Sequence, residues 1–299
     1  MSGAEHGLIA ITGAAGLVGT GLRQQLRERG YRLVLLDRKA ITDCTESEQS
    51  FLVDVTDQAT VTRHLAGCDA VVHLASCTTD APWPEQVTLS VEGSISLFEA
   101  ARSAGVMRVI YASSHHVVGY HPRTTVLDEH AVLKPDSRYG VGKAFGESIG
   151  AMMAYKYDMR VLTIRIGNVN SKPIDRRRLG NWISWRDLGQ LVSLGITHPD
   201  LRYEVVYGIS DATGRDYDNR AAYALGYRPQ DQSEPFEADV LAHDPVPAHD
   251  SPQACTPSEV TKGGVFSGNE FTGSSERLRP RSSDRKTTHE PCTRSDHPD

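Results

Sequence analysis

The sequence predicts an α/β fold, a doubly wound parallel sheet with a small C-terminal portion and a disordered tail, and three observations predict it. Residues 7–38, GLIAITGAAGLVGTGLRQQLRERGYRLVLLDR, read as strand, glycine turn, helix, strand. Short continuous apolar runs recur beyond them, separated by helical patterns, as in a sheet covered on both faces. From about residue 242 the composition turns to Pro, Asp and Ser, and the polar, charged last 26 residues, Ser274 to Asp299, cannot bury enough apolar surface to offset ordering entropy.

The first unit carries the strongest signal. Gly13, Gly16 and Gly19 let the backbone approach a pyrophosphate, and the helix opening there offers unpaired N–H groups and the positive end of its dipole. Asp37 closes the next strand, where a carboxylate accepts the ribose hydroxyls of an adenosine. That carboxylate repels a 2′-phosphate and so favours NAD over NADP, while Arg38 beside it acts in the opposite sense.

The alternation then continues. Ser50 to Val53 is a short strand ending at Asp54, Gln58 to Ala66 a helix and Ala70 to Leu74 a strand. Asp54 reads either as a partner of the adenine amine or as a helix N-cap. After Leu74 come Ala75, Ser76, Cys77 and Thr78 at a strand's carboxyl end, where ligands of open α/β sheets bind. A helix from about Glu85 to Ala104 leads to a strand at Arg108 to Ala112 and then to Ser113-Ser114-His115-His116. A nucleophile-and-base reading of Ser and His there lacks a G-x-S-x-G turn.

Tyr139-Gly140-Val141-Gly142-Lys143 opens the next helix and puts Tyr139 and Lys143 on one face, one turn apart. An ammonium beneath a phenol favours the phenolate and lowers its pKa from about 10 toward neutrality, making a general base for a hydroxyl. Val161 to Ile166 and Tyr203 to Val206 are further strands, with helices at Asp187 to Ile196 and Asn219 to Leu225. Between them a loop carries Lys172, Arg176, Arg177 and Arg178, either a guanidinium clamp for a carboxylate or a solvated basic loop.

With TGAAGLVG, Asp37, Ser114 and YGVGK in place, the chain resembles the extended short-chain dehydrogenase/reductase family over about residues 7–272. The blocks ASSHHVVGYHP, RYGVGKAFGE, RIGN, RRRLGNWIS and GGVFSGNEF most resemble its uronate-oxidising members. The resemblance implies a Rossmann fold and NAD as cofactor. It assigns proton transfer to Tyr139, the nicotinamide ribose and acidification of the tyrosine to Lys143, and the reacting oxygen to Ser114. It places the sugar carboxylate on Arg177 and ring hydroxyls on Thr78, His115 and His116. The cofactor-binding set is Gly13, Ala15, Gly16, Leu17, Val18, Gly19, Asp37, Arg38, Asp54, Val55, Leu74, Ala75, Ser76, Lys143 and Asn168. Two departures stand out: Ser90-Val91-Glu92-Gly93 lacks the family's N-x-x-G asparagine, and His115 stands where the resembling members carry asparagine.

Residues 1–242 are thus expected to form the nucleotide-binding and catalytic domain, with small substrate-binding insertions at about 167–185 and 208–242. Residues 243–272 form a Pro-rich linker and a returning segment packed on the body, and 273–299 a disordered tail. Little chain is left for a cap over a second nucleotide, which favours a free acidic sugar over a nucleotide-sugar. Formal net charge is −6 with signs interspersed, so neither nucleic acid nor a membrane surface is an expected partner. Five cysteines without C-x-x-C or metal-ligand spacing read as thiols of a cytoplasmic protein. A homo-oligomer is expected, and no metal. The expected reaction is NAD-dependent oxidation of a hexuronate at its anomeric carbon; the alternatives are a nucleotide-sugar epimerase or dehydratase and a non-catalytic dinucleotide-binding regulator.

Overall fold

The computed structural model describes residues 6–212, 216–248 and 251–278. Seven strands form one parallel sheet: β1 (His6–Thr12), β2 (Tyr31–Asp37), β3 (Glu48–Leu52), β4 (Ala70–His73), β5 (Arg108–Ser114), β6 (Arg160–Ile166) and β9 (Tyr203–Gly208). Their spatial order is β3-β2-β1-β4-β5-β6-β9, so the chain reverses its direction of growth between β1 and β4. At such a switch point the loops after two neighbouring strands part and leave a crevice at the carboxyl edge. A two-residue pair, β7 (Asn168–Val169) with β8 (Trp182–Ile183), stands apart from the sheet.

The apolar runs split by alternation into two cores. Ile9, Ile11, Leu33, Leu35, Leu162 and Ile164 pack on one face with α1 (Leu17–Glu28) and α7 (Trp185–Thr197). Ala10, Val34, Leu36, Val109 and Val161 pack on the other with α2 (Gln58–Leu65), α4 (Gly93–Ser103) and α5 (Arg138–Tyr157). Successive side chains on a strand point to opposite faces, so a sheet covered on both sides needs runs without a polar alternate. The cores are therefore written in the strands themselves.

Three details depart from expectation. The single helix expected over Glu85 to Ala104 is α3 (Trp83–Gln86), a π-helical turn at Val87–Glu92, and then α4. That turn brings Ser90 to 1% exposure, a place for a polar group inside an otherwise regular helix. Asp54 does not cap α2; Asp57 does, accepting from the Thr60 N–H, while the Asp54 carboxylate folds onto the N–H and hydroxyl of Thr56. Short helices unread in the sequence, α6 (Arg176–Leu179), α9 (Glu237–His243), α10 (Pro257–Val260) and α11 (Val265–Gly268), surround the substrate side, while α8 (Arg220–Ala224) falls within the expected one. The expected disordered tail lies outside the described residues from 279 on; Ser275–Leu278 form a 3-10 turn. Among the described residues no helix is long and apolar enough to cross a membrane.

Candidate active site

A cleft of about 560 Å³ opens at the switch point, reaching from the glycine turn to Tyr139. Gly13 sits at φ +71°, and a Cβ there would fall 2.7 Å from the Ala75 nitrogen. A Cβ on Gly19 would meet the Gly13 carbonyl oxygen at 2.5 Å. Gly16 caps α1 without a side chain, so the first-turn N–H groups have no capping partner. The Asp37 carboxylate accepts from the Ala15 N–H at 2.9 Å and the Lys39 N–H at 2.8 Å, which fixes it across the mouth. A glycine turn packed too closely for a Cβ at Gly13 or Gly19, a helix N-terminus without a side-chain cap and an anchored acid together fit a dinucleotide.

Ser137 caps α5, its hydroxyl accepting from the Gly140 N–H at 3.1 Å, so Tyr139 lies in the first turn and Lys143 one turn on. Beneath them Ser113 donates to Glu147 at 2.5 Å, and Arg165 grips the same carboxylate with two bonds of 3.0 Å. This buried pair ties α5 to β5 and β6. Burial pushes the Tyr139 phenol up to about 12, opposed by a hydrogen bond with Ser114, and pushes the Lys143 ammonium down to about 7. The expected acidification of Tyr139 is therefore corrected for the free protein. A lysine whose own charge is disfavoured by burial lends little to the phenol, and Lys143 Nζ stands 5.9 Å from the Tyr139 ring centre.

On the substrate side β5 ends in a 3-10 turn, His115–Val118. The His116 Nδ1 lies 2.8 Å from Asp136, and its ring meets Phe266 edge-on at 4.4 Å. Burial, with His116, Arg177, Arg178 and Lys262 nearby, holds the His115 imidazole well below its usual range and hence neutral. Its Nε2 is 3.4 Å from the Asn181 amide nitrogen, while His115 Nδ1, Asn181 Oδ1, Asn168 Oδ1 and Arg177 Nη1 are buried without a partner. Buried polar atoms without partners are rare in folded proteins, and these offer donors and acceptors that a polar ligand would satisfy.

Thr78, Ser114, Tyr139, Lys143 and Asn168 line the main cleft together with Ala15, Leu17, Val18, Arg38, Val55, Leu74, Ala75 and Ser76. Asp54, His115 and His116 do not line it. Arg177 lines a second cavity of about 280 Å³ that Asn181 also borders, so Asn181 spans from His115 to the arginine loop. Gly264, at φ +62°, lays its backbone on Arg177; a Cβ there would be 2.5 Å from Nε. Sequence reading did not single out Asp136, Asn181 or Gln86; Asp136, just before the cap Ser137, was the one with a local signal.

The model of the NAD dependent epimerase/dehydratase family matches residues 9–191. A uronate dehydrogenase of Pseudomonas syringae pv. tomato is 36% identical over 259 residues, covering 86% of this chain and 92% of its own. An NAD-dependent glucose-6-phosphate dehydrogenase of Haloferax volcanii is 35% identical over 251 residues, covering 76% of this chain and 95% of its own. The crystal structure of an Agrobacterium tumefaciens uronate dehydrogenase mutant complexed with NAD has a TM-score of 0.82 at 30% identity, covering 88% of this chain and 97% of that one. Fold, glycine cradle and these similarities agree: the chain belongs to the NAD-dependent epimerase/dehydratase family.

Proposed function

We propose that this chain is an NAD-dependent dehydrogenase that oxidises the anomeric carbon of a free hexuronate, such as glucuronate or galacturonate, to an aldaro-lactone. NAD, when bound, supplies the hydride acceptor. Tyr139 as phenolate takes the proton of the anomeric hydroxyl, and Ser114, hydrogen-bonded to it, steadies the reacting oxygen. Ligand hydroxyls entering the cleft return to Lys143 the polar partners that burial removes, which favours its ammonium and with it the phenolate. Thr78, His115 and His116 hold ring hydroxyls in this reading.

The observation that carries the substrate class is the lack of an acidic partner at Arg177. Arg123 and Arg176 pair with Glu259 at 3.4 and 2.8 Å, Lys262 pairs with Asp216 at 3.2 Å, and Arg178 pairs with Asp175. Among the described residues Arg177 has no acidic partner within ion-pair distance, and its Nη1 is buried and unsatisfied. Five cations there face three carboxylates, Glu259 being shared by Arg123 and Arg176, and Arg177 is the guanidinium left without an acid; its planar fork suits a sugar carboxylate. An unpaired guanidinium fork supports an acidic sugar over a neutral one.

A homo-oligomer belongs to the proposal. Val141, Phe145, Met152 and Tyr155 expose one apolar stripe along α5, with Ile95 of α4 beside them, and so extended an apolar face seeks a partner. A cytoplasmic location belongs to the proposal too, and the buried Cys68 and Cys77, in no disulfide, are compatible with a reducing compartment. The test is to supply NAD with free uronates, neutral aldoses, sugar 6-phosphates and nucleotide-sugars and to follow NADH absorbance. Signal with free uronates is expected; signal confined to phosphorylated sugars, or none, overturns the reading.

A further inference from the structure

Behind the cleft a chain of polar groups runs from Ser76 to the loop that carries Thr78. The Ser76 hydroxyl lies 2.9 Å from that of Ser90, Ser90 lies 3.0 Å from Gln86 Oε1, and Gln86 Nε2 lies 2.5 Å from the Thr79 carbonyl oxygen. Ser90 and Gln86 are each 1% exposed. Ser90 opens the segment in which the family expectation placed an asparagine, and the π-helical turn carries it inward against Gly142, where a Cβ would stand 2.7 Å from its own.

The chemistry of these groups gives the chain one direction. A carbonyl oxygen only accepts, so the Gln86 amide must turn its NH₂ to Thr79 and leave Oε1 facing Ser90. Oε1 also only accepts, so the single Ser90 proton goes to Gln86. The opposite choice would leave a buried carbonyl oxygen unsatisfied, at a cost of about 1–3 kcal/mol. Ser90 can then only accept from Ser76, whose one proton is committed inward. Ser76 lines the cleft with lone pairs alone.

We infer that Ser76 is an acceptor-only group toward the cleft, its polarity set by Gln86 through Ser90, and that it takes a hydroxyl proton from the ligand lying there. Gln86 and Ser90 are positioning residues; Ser76 is the group that touches ligand. Two sources carry that hydroxyl, the ring of the sugar and the nicotinamide ribose. The sugar source rests on the uronate reading above, and the ribose source does not.

The full-length protein decides it with Ser76→Ala and Ser90→Ala. NADH affinity is read by fluorescence titration, and kcat/KM is read for the turned-over sugar and for a series in which each ring hydroxyl is replaced in turn by fluorine, which accepts but does not donate. If the sugar is the source, one fluoro analogue is worse than its parent by roughly 10-fold in the wild type. In Ser90→Ala that gap closes to within about 3-fold, because Ser76 is free to turn its proton outward. If the ribose is the source, Ser76→Ala weakens NADH binding by roughly 5- to 10-fold and no fluoro analogue is singled out. Ser76→Ala with unchanged NADH affinity, together with a fluoro series that Ser90→Ala leaves as in the wild type, overturns the inference. Ser76 lies on the cleft wall, so its variant keeps the test open even if Ser90→Ala fails to fold. Failure of every uronate to react would sink the proposed function while the NADH titration still reads the cofactor arm.

Discussion

Lys143 Nζ stands 5.9 Å from the ring centre of Tyr139 and closer, at 5.3 Å, to that of Tyr111, inside a region where burial disfavours its charge. Burial therefore pushes the amine and the phenol of the proposed working pair toward their neutral forms in the cofactor-free protein.

Stability against pH follows. A lysine lowered to about 7 in the fold and at about 10.5 unfolded binds its proton more readily unfolded. Stability from this group thus rises with pH between those values, and its penalty is complete below pH 7. Lys143→Met should stabilise the cofactor-free protein by on the order of 2–4 kcal/mol near pH 6, an advantage that fades toward pH 10.5. Urea unfolding at several pH values measures this; an equal gain at all pH values would count against it.

Tyr139→Phe should lower turnover by at least about 10³-fold while leaving NADH affinity within about 3-fold, since the phenol acts on the proton and not on the pyrophosphate. Phenolate absorbance adds a sign test. Burial raises this group to about 12, so the difference between wild type and Tyr139→Phe should show no ionisation of Tyr139 below pH 10 in the free protein. A phenolate already formed at pH 7 would contradict the burial account.

Gly19→Ala should abolish NADH binding and cost about 1–3 kcal/mol of stability, because its Cβ would lie 2.5 Å from a backbone oxygen that cannot retreat. Calorimetry of binding, paired with thermal unfolding, separates the two losses.

Asp37→Asn removes the charge that opposes a 2′-phosphate, and Arg38 and Lys39 beside it already line the cleft. The ratio of kcat/KM with NADP to that with NAD should rise by roughly 10-fold or more, which corresponds to about one repulsive charge contact. An unchanged ratio would remove Asp37 as the discriminating group.

Much of the fold could be read from order along the chain. Strands buried on both faces favour unbroken apolar runs, so Leu8 to Ile11 and Leu33 to Leu36 announced themselves, and Gly13, Gly16 and Gly19 stood out because only a close backbone approach calls for that spacing. What escaped depends on meetings between distant residues. Asn181 reaches His115, Gln86 reaches Thr79 and Asp136 reaches His116 with no shared periodicity to give them away. The direction of the Tyr139 shift escaped for the same reason: spacing showed that an amine lies one turn along, but burial, which decides whether that amine is charged, is a property of the packed structure.

Arg177 is the group proposed to select an acidic sugar for oxidation at Tyr139, and the most direct measurement is Arg177→Met assayed with NAD on a hexuronate and on the matching neutral aldose. Loss of a charged bidentate contact should lower kcat/KM for the uronate by about 10²- to 10³-fold and leave the aldose within about 3-fold. Equal losses on both sugars, or undiminished uronate turnover, would contradict it.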